Sequence, residues 1–177
     1  MVNQEKLPSR DTAFDLLKKL KVPYQVRRHS LKVAEKALEL AYQIKKTGVD
    51  LDLVEIGALL HDIGRSKTHG FNHAIIGGEI LRDRGYPRSL SRICETHILG
   101  GLDKEDARLL NLPEREYLPV SIEEKIICLA DKLTAGSKEV TIDQRFQKWF
   151  IKFGKTKILM KSKKRIERIQ EELYNLM

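Results

Sequence analysis

The chain has 177 residues and a mass of 20.4 kDa, which favours one compact domain and leaves no room for a second large one. With 41% hydrophobic and 33% charged residues it can bury a core, which argues against global disorder and against a membrane protein. No apolar stretch approaches the roughly 20 residues of a spanning helix, and Met1 to Pro8 lack the apolar core of a signal peptide. A cytoplasmic location is therefore expected.

Cysteine content and charge distribution add two further constraints. Cys94 and Cys128 show no paired spacing, so neither a disulfide framework nor a cysteine zinc site is supported, and a reducing compartment fits. The net charge of +8 is concentrated in residues 143–177, which hold 10 Lys/Arg and 4 Asp/Glu. The basic character is a C-terminal feature.

Apolar residues recur at intervals of three and four, so we predict an all-α fold with strands minor or absent. The predicted helices span residues 11–21, 25–47, 51–61, 72–84 and 88–98. Residues 111–119 are too interrupted by proline for a long helix, and the Ser121–Glu124 capping box then begins a helix that passes through Asp131. Beyond Ile142 two more helices are expected, separated near Gly154.

Several histidines and aspartates fall at predicted helix ends or on apolar helical faces, where desolvation is costly unless the side chain is satisfied. Asp131 is the sharpest case, because it follows the apolar residues 126–130 on a helix that is apolar all round. A metal ion is one natural partner, and histidine with carboxylate suits zinc, manganese or iron rather than calcium. Taken singly, each histidine is more often a hydrogen-bonded core residue, and a His-Asp pair can simply cap a helix. The residues concerned are His29, His61, Asp62, His73, His97 and Asp131.

The order His29, His61-Asp62, Asp131 resembles the signature of the HD superfamily of metal-dependent phosphohydrolases. Residues 61–64 read as the HDIG form of the doublet, residues 72–81 are similar to the downstream helix of that branch, and His97 matches the next family histidine. The resemblance covers residues 25–136 and implies a compact, single-domain helical bundle of the HD-domain type. Residues 1–24 would then form an N-terminal helix that packs on the core, and residues 137–177 a basic C-terminal helical extension.

The resemblance also implies a metal site. His29, His61, Asp62 and Asp131 would hold one divalent transition metal ion (Mn, Fe, Ni, Co or Zn), and His73 and His97 a second, with Asp62 bridging. Two departures affect this assignment. Arg65 stands where many family members have lysine, so a proton-donating role there is in doubt while phosphate binding survives. Thr96 and Ile98 flank His97 where the family often has adjacent histidines.

The implied reaction is hydrolysis of a phosphomonoester, phosphodiester or phosphoanhydride by a metal-activated water, and the expected substrate is a nucleotide or similar small phosphate compound. Asp62, Asp131 and Arg65 would be catalytic. Arg65, Lys67 and Lys132 lie next to ligands in sequence and would neutralise substrate phosphates, unless they are ordinary solvated charges. His69 is expected on the surface or in a substrate loop, and both cysteines are expected to pack as small apolar groups.

The basic segment 148–168 allows other interpretations of the protein's function. Its aromatic residues Trp149, Phe150 and Phe153 could help to bind nucleic acid, although we favour a core-covering helix followed by a packing or homodimer stripe. Two alternatives stay open. The protein could bind RNA and act on or sense RNA ends, or it could be a catalytically silent scaffold whose fold is stabilised by a structural metal ion. The stripe consists of Leu159, Ile166, Ile169, Leu173 and Leu176.

Overall fold

The computed structural model describes residues 6–177, and over this range the fold is all-α with one very short β-hairpin. The helices are α1 (Arg10–Lys19), α2 (Tyr24–Gln43), α3 (Leu51–Leu60), α4 (His73–Arg82), α5 (Arg88–Thr96), α6 (Lys104–Leu109), α7 (Ile122–Lys132), α8 (Ile142–Phe153) and α9 (Lys157–Tyr174). Two 3-10 turns lie at Ile63–Ser66 and Ile98–Gly100, and the hairpin pairs β1 (Thr134–Ala135) with β2 (Lys138–Glu139). No helix in residues 6–177 is long and apolar enough to cross a membrane.

The predicted helices are confirmed, with two differences that have identifiable physical causes. α2 was expected to continue to Thr47 but ends at Gln43, because Ile44 adopts an extended conformation and the next two backbone N–H groups donate to the carbonyl of Leu176. α6 was not predicted. It is a short helix that begins with a capping box between Asp103 and Asp106, in a region where prolines and glycines obscure the helical period.

α3 and α7 form the centre of the bundle, since both bury nearly their whole surface. α2 packs against both of these helices, and α5 covers them from another side. The buried core also takes in Leu17 of α1 and Phe146 of α8, so the terminal segments share the core of the central helices. The division of the chain at residues 24 and 136 stays a prediction.

A close approach between the turn after α3 and the start of α4 depends on one glycine. A Cβ atom at Gly64 would lie 1.9 Å from the backbone oxygen of His73 and 2.7 Å from the backbone nitrogen of Gly77. Only glycine permits this contact, which brings the turn that carries Asp62 directly against the helix that carries His73.

The apolar stripe of α9 is buried inside this chain. Ile166, Ile169 and Leu173 belong to the main core, and Leu159 belongs to a smaller cluster with Tyr117. The polar side of α9 is tied to the start of α6, because Lys161 and Arg165 form ion pairs with Asp103 and Asp106. The interpretation of this stripe as intramolecular packing is thus confirmed.

Candidate metal centre

The structure brings together all of the side chains that the sequence singled out as metal ligands. They come from separate helices: α2 supplies one, the end of α3 two, the start of α4 one, the end of α5 one, and the last turn of α7 one. Three overlapping sets of ligand atoms each lie within 4.8 Å of one another. The sets are His29, His61 and Asp62; His61, His97 and Asp131; and Asp62, His73 and His97.

Each histidine of the cluster is oriented by a hydrogen bond from its Nδ1 atom to a backbone carbonyl. The acceptors of His61, His73 and His97 are the carbonyls of Ala58, Gly70 and Cys94, each at 2.7 Å, and that of His29 is Gly136, at 2.8 Å. A carbonyl oxygen only accepts, so Nδ1 carries a proton in every ring. In a neutral ring Nε2 then presents its lone pair to the cluster, which is the arrangement found around metal-bound histidines.

One half of the cluster is centred on Asp131. His29 Nε2 lies 2.8 Å from Asp131 Oδ1, and His61 Nε2 lies 3.7 Å from the same oxygen. The other oxygen of Asp131 accepts from the buried ammonium of Lys132, which also donates to the carbonyl of His97. The carboxylate of Asp131 thus joins α2 and α3 to the end of α7.

The other half is centred on Asp62, whose two oxygens face different partners. Oδ1 lies 2.9 Å from His73 Nε2 and 3.4 Å from His97 Nε2. Oδ2 lies 3.7 Å from His61 Nε2 and accepts from Arg65 Nε at 2.8 Å. This placement of Asp62 between the two histidine groups is the geometry that a bridging carboxylate needs.

The donor set fits a divalent transition metal. His61 Nε2 and Asp62 Oδ1 are buried and have no hydrogen-bond partner within the part of the chain that the structure describes. Buried polar atoms without partners are costly, and Asp62 Oδ1 faces the Nε2 atoms of His73 and His97. A cation satisfies all of these acceptors at once, and nitrogen and carboxylate ligands suit zinc, manganese, iron, cobalt or nickel.

The electrostatics of the cluster favour the protonation states that bind metal. Burial raises the pKa of Asp62, but nearby His61, His73 and His97 outweigh it and bring that pKa well below its usual range. Lys132 and His29 overcome the effect of burial on the pKa of Asp131 in the same way. Burial also lowers the pKa of His61, and that of His97 to about 4. Both carboxylates are therefore ionised and both of these rings neutral at pH 7.

His29 behaves differently. Burial lowers the pKa of its ring, but the hydrogen bond to Asp131 and the charge of that carboxylate raise it above the ordinary value. The raised pKa fits a proton shared between His29 Nε2 and Asp131 Oδ1. Metal binding would displace this proton.

The cluster forms the floor of a cavity of about 510 Å³. Arg65, His69 and Lys132 line the cavity, and His69 is exposed, as expected. Lys67 is exposed and does not line this cavity; its role as a phosphate ligand stays a prediction. The two cysteines are buried in the core beside the cluster, which confirms their apolar packing.

Sequence reasoning missed the part that α8 plays in this site. Arg145, Trp149 and Phe153 line the cavity, as does Phe71 from the loop before α4. Trp149 packs partly on the core, in agreement with the interpretation of a core-covering helix, but Phe153 was wrongly assigned to the core and is 57% exposed. The spacing of Arg145, Trp149 and Phe153 at four residues was the available signal, since it places them on one helical face.

A family model described as the HD domain matches residues 26–136, which is more than half of the chain. The chain therefore belongs to the HD-domain family. It is 45% identical over 169 residues to an uncharacterized protein of Methanocaldococcus jannaschii, covering 94% of this chain and 98% of that protein. The fold is also similar to that of the HD domain of the L. monocytogenes phosphodiesterase PgpH in complex with cyclic-di-AMP, with a TM-score of 0.54, 23% identity, and coverage of 91% of this chain and 95% of that one.

A second relative is longer than this chain. The tRNA (cytidine(56)-2'-O)-methyltransferase of Thermoplasma volcanium is 41% identical over 138 residues, which cover 78% of this chain but 40% of the methyltransferase. The chain therefore matches less than half of that relative's length.

Proposed function

We propose that this protein is a metal-dependent phosphohydrolase that cleaves a phosphate ester or anhydride in a nucleotide or similar small phosphate compound. One observation carries the proposal. Four histidine Nε2 atoms and two carboxylates converge beneath a cavity, and each histidine ring is fixed by a hydrogen bond from Nδ1. A core histidine that served only packing would not need its second nitrogen aimed at the same point as three others.

His29, His61, Asp62 and Asp131 would hold the first ion, and His73, His97 and Asp62 the second. A divalent cation at such a site lowers the pKa of a water molecule towards neutrality and offsets charge on phosphoryl oxygens. The protein's own contribution is to fix the ligand geometry. The hydrogen bonds from Nδ1 set the histidine rings, and Arg65 and Lys132 hold the outer oxygens of the two aspartates.

Arg65 and Lys132 are also the groups that we assign to the substrate phosphate. Both line the cavity. Arg65 uses Nε for Asp62 and one terminal nitrogen for the carbonyl of His69, so its other terminal nitrogen is available to an anion. Asp131 lies at the same wall, where its carboxylate can help to orient the attacking water as well as bind metal.

The names of two related proteins support a nucleotide substrate. The PgpH HD domain binds cyclic-di-AMP in its structure, and the longer relative is named as a methyltransferase that acts on tRNA. Both compounds carry phosphodiester-linked nucleosides. A cavity of about 510 Å³ is also within the range of roughly 300–1,000 Å³ that is usual for small-molecule sites.

The test begins with elemental analysis of protein purified without a chelator or a histidine tag. We expect near-stoichiometric transition metal in the wild type, its loss in Asp62→Ala, and its retention in His69→Ala, which removes an exposed histidine outside the ligand sets. A nucleotide and phosphodiester screen with manganese, iron, nickel and cobalt should then detect hydrolysis that Asp62→Ala abolishes. Metal binding with no hydrolysis of any phosphate substrate would contradict the proposal and favour a metal-stapled scaffold.

A second candidate, action on RNA ends, is favoured by the relationship to the tRNA methyltransferase. Much of the basic C-terminal segment is engaged within the chain, since Lys157, Lys161 and Arg165 pair with acidic residues near α6. Lys148, Lys152 and Lys155, on α8 and just after it, are exposed. If RNA is the substrate, replacing these lysines by glutamine should weaken tRNA binding and flatten its salt dependence without changing metal content.

A further inference from the structure

The cavity has two chemically different sides. The His/Asp cluster and the cationic side chains Arg65 and Lys132 form its floor, whereas Phe71, Trp149 and Phe153 form part of its outer lining. We call these three residues the aromatic wall. Trp149 and Phe153 are one helical turn apart on α8, so their rings lie on the same face of that helix. α8 lies outside the matched HD region, residues 26–136.

Trp149 is held in a fixed orientation. Its ring meets the fully buried Phe146 edge to face, with the centroids 5.0 Å apart and the planes at 77°. The guanidinium carbon of Arg145 lies 5.3 Å from the centroid of the Trp149 ring, and Arg145 itself is anchored by hydrogen bonds to the carbonyls of Asp131 and Lys132. A ring positioned in this way loses little conformational freedom when a ligand stacks on it.

Phe71 and Phe153 are not needed for the core. They are 46% and 57% exposed, and neither packs against the two hydrophobic clusters of the fold. Single exposed aromatics are ordinary on protein surfaces. These two, however, line the same cavity as the half-buried Trp149, so three rings share a cavity with the His/Asp cluster, Arg65 and Lys132.

We propose that the aromatic wall binds the planar base of a nucleoside phosphate whose phosphate group lies on the His/Asp cluster. This inference rests on the proposed function and deepens it by assigning base recognition to α8 and Phe71. Aromatic rings stack on every nucleobase, because each base has a π-face, and Arg65 and Lys132 can donate charge-assisted hydrogen bonds to the phosphate. An aliphatic phosphate or a sugar phosphate would engage the floor alone.

Trp149 provides a direct readout, because it is the single tryptophan of the chain. Protein loaded with Zn²⁺ is mixed in a stopped-flow instrument with adenosine 5′-monophosphate or with ribose 5-phosphate, and tryptophan fluorescence is read before any hydrolysis. The nucleotide should quench Trp149 in a saturable manner, whereas the sugar phosphate should not. The amplitudes against concentration give the dissociation constant of the nucleotide, and isothermal titration calorimetry gives that of ribose 5-phosphate.

Variants separate stacking from general effects on the fold. Phe71→Ala and Phe153→Ala should each weaken binding of the nucleotide by roughly 5- to 150-fold, the range for loss of one base–aromatic contact, and leave the affinity for ribose 5-phosphate unchanged. Ile151→Ala is the matched control. Ile151 is 81% exposed on the same helix and does not line this cavity, so its removal should change neither affinity.

The outcomes distinguish this inference from the proposed function. Equal affinities for the nucleotide and the sugar phosphate, unaffected by Phe71→Ala and Phe153→Ala, would overturn the aromatic wall even if the protein hydrolyses phosphate esters. Quenching that requires the base and is lost in the Phe variants would support the wall even if no hydrolysis is found, in which case only the proposed catalysis fails.

Discussion

The Nε2 atoms of His73 and His97 lie 3.3 Å apart, while the Nδ1 atom of each ring donates to a backbone carbonyl one turn earlier. Burial lowers the pKa of His97 to about 4, so its ring is neutral at pH 7. Because Nδ1 carries the proton, Nε2 carries a lone pair. Asp62 Oδ1 lies within 3.4 Å of both nitrogens. A cation placed among these three atoms could be held by all of them, which is the physical basis for proposing a second metal ion.

His73→Ala should therefore remove one metal equivalent and leave the ion bound by His29, His61, Asp62 and Asp131 in place. Plasma mass spectrometry on dialysed protein checks this, with circular dichroism to show that the helices persist. His69→Ala provides the histidine-matched control, since His69 is exposed and outside the ligand sets. Equal metal content in wild type and His73→Ala would count against a two-ion site.

Gly64→Ala should be strongly destabilising. The added Cβ would lie 1.9 Å from the backbone oxygen of His73, and a backbone atom cannot move aside as a flexible side chain can. We expect the free energy of unfolding, measured by urea denaturation, to fall by about 1–3 kcal/mol or more. Metal binding should weaken as well. Gly48→Ala, where the new Cβ meets nothing within 4 Å, should change stability little; similar results for both variants would refute the close-approach argument.

Arg145→Ala should lower stability and metal affinity together. Arg145 donates to the carbonyls of Asp131 at 2.7 Å and of Lys132 at 3.2 Å, and also to that of Thr134. The first two carbonyls belong to the last turn of α7, the helix that carries the proposed ligand Asp131, and a cation there is favourable to the helix dipole. We expect a cost of about 1–3 kcal/mol in unfolding free energy. Lys148→Ala removes an exposed cation from α8, the helix that also carries Arg145. This variant should leave the free energy of unfolding almost unchanged in the same denaturation assay.

Asp103 makes part of the stability dependent on acid pH. Burial raises the pKa of its carboxyl, but Lys161 and Arg165 outweigh it and lower that pKa from 3.8 to about 2. Because the folded value is depressed, the charge stabilises the protein fully above pH 3.8, and this contribution is lost as the pH falls through about 2.

Asp103→Asn isolates this effect, since asparagine still caps α6. The unfolding free energy of wild type should exceed that of the variant by roughly 0.5–1 kcal/mol at pH 7, and the difference should vanish near pH 2. Urea titrations at several pH values measure it. A difference that is constant from pH 7 to pH 2 would show that the carboxylate does not act through its charge.

Local sequence patterns were sufficient for most helices. Capping residues at Ser121 and Thr141, together with apolar spacing of three and four, define α7 and α8 because these signals act within a few residues. α6 escaped prediction since its helix has only six residues and its capping box uses two aspartates. The early end of α2 depends on a contact with Leu176 far along the chain, which no local window contains.

The candidate ligands could likewise be identified from the sequence. A polar side chain on an apolar helical face costs free energy to bury unless it has a partner, so its presence there indicates a specific role. The sequence alone determined which helices form, apart from α6, and placed the candidate ligands at helix ends or on apolar faces. These ligands are His29, His61, Asp62, His73, His97 and Asp131. Only the tertiary structure decided that all six join in three overlapping sets, that the two oxygens of Asp62 face different histidines, and that Arg145, Trp149 and Phe153 of α8 line the cavity. The physical reason is range: helical periodicity and capping act over a few residues, whereas the meeting of α2 with α7 and of α8 with the cluster is set by packing between segments about a hundred residues apart.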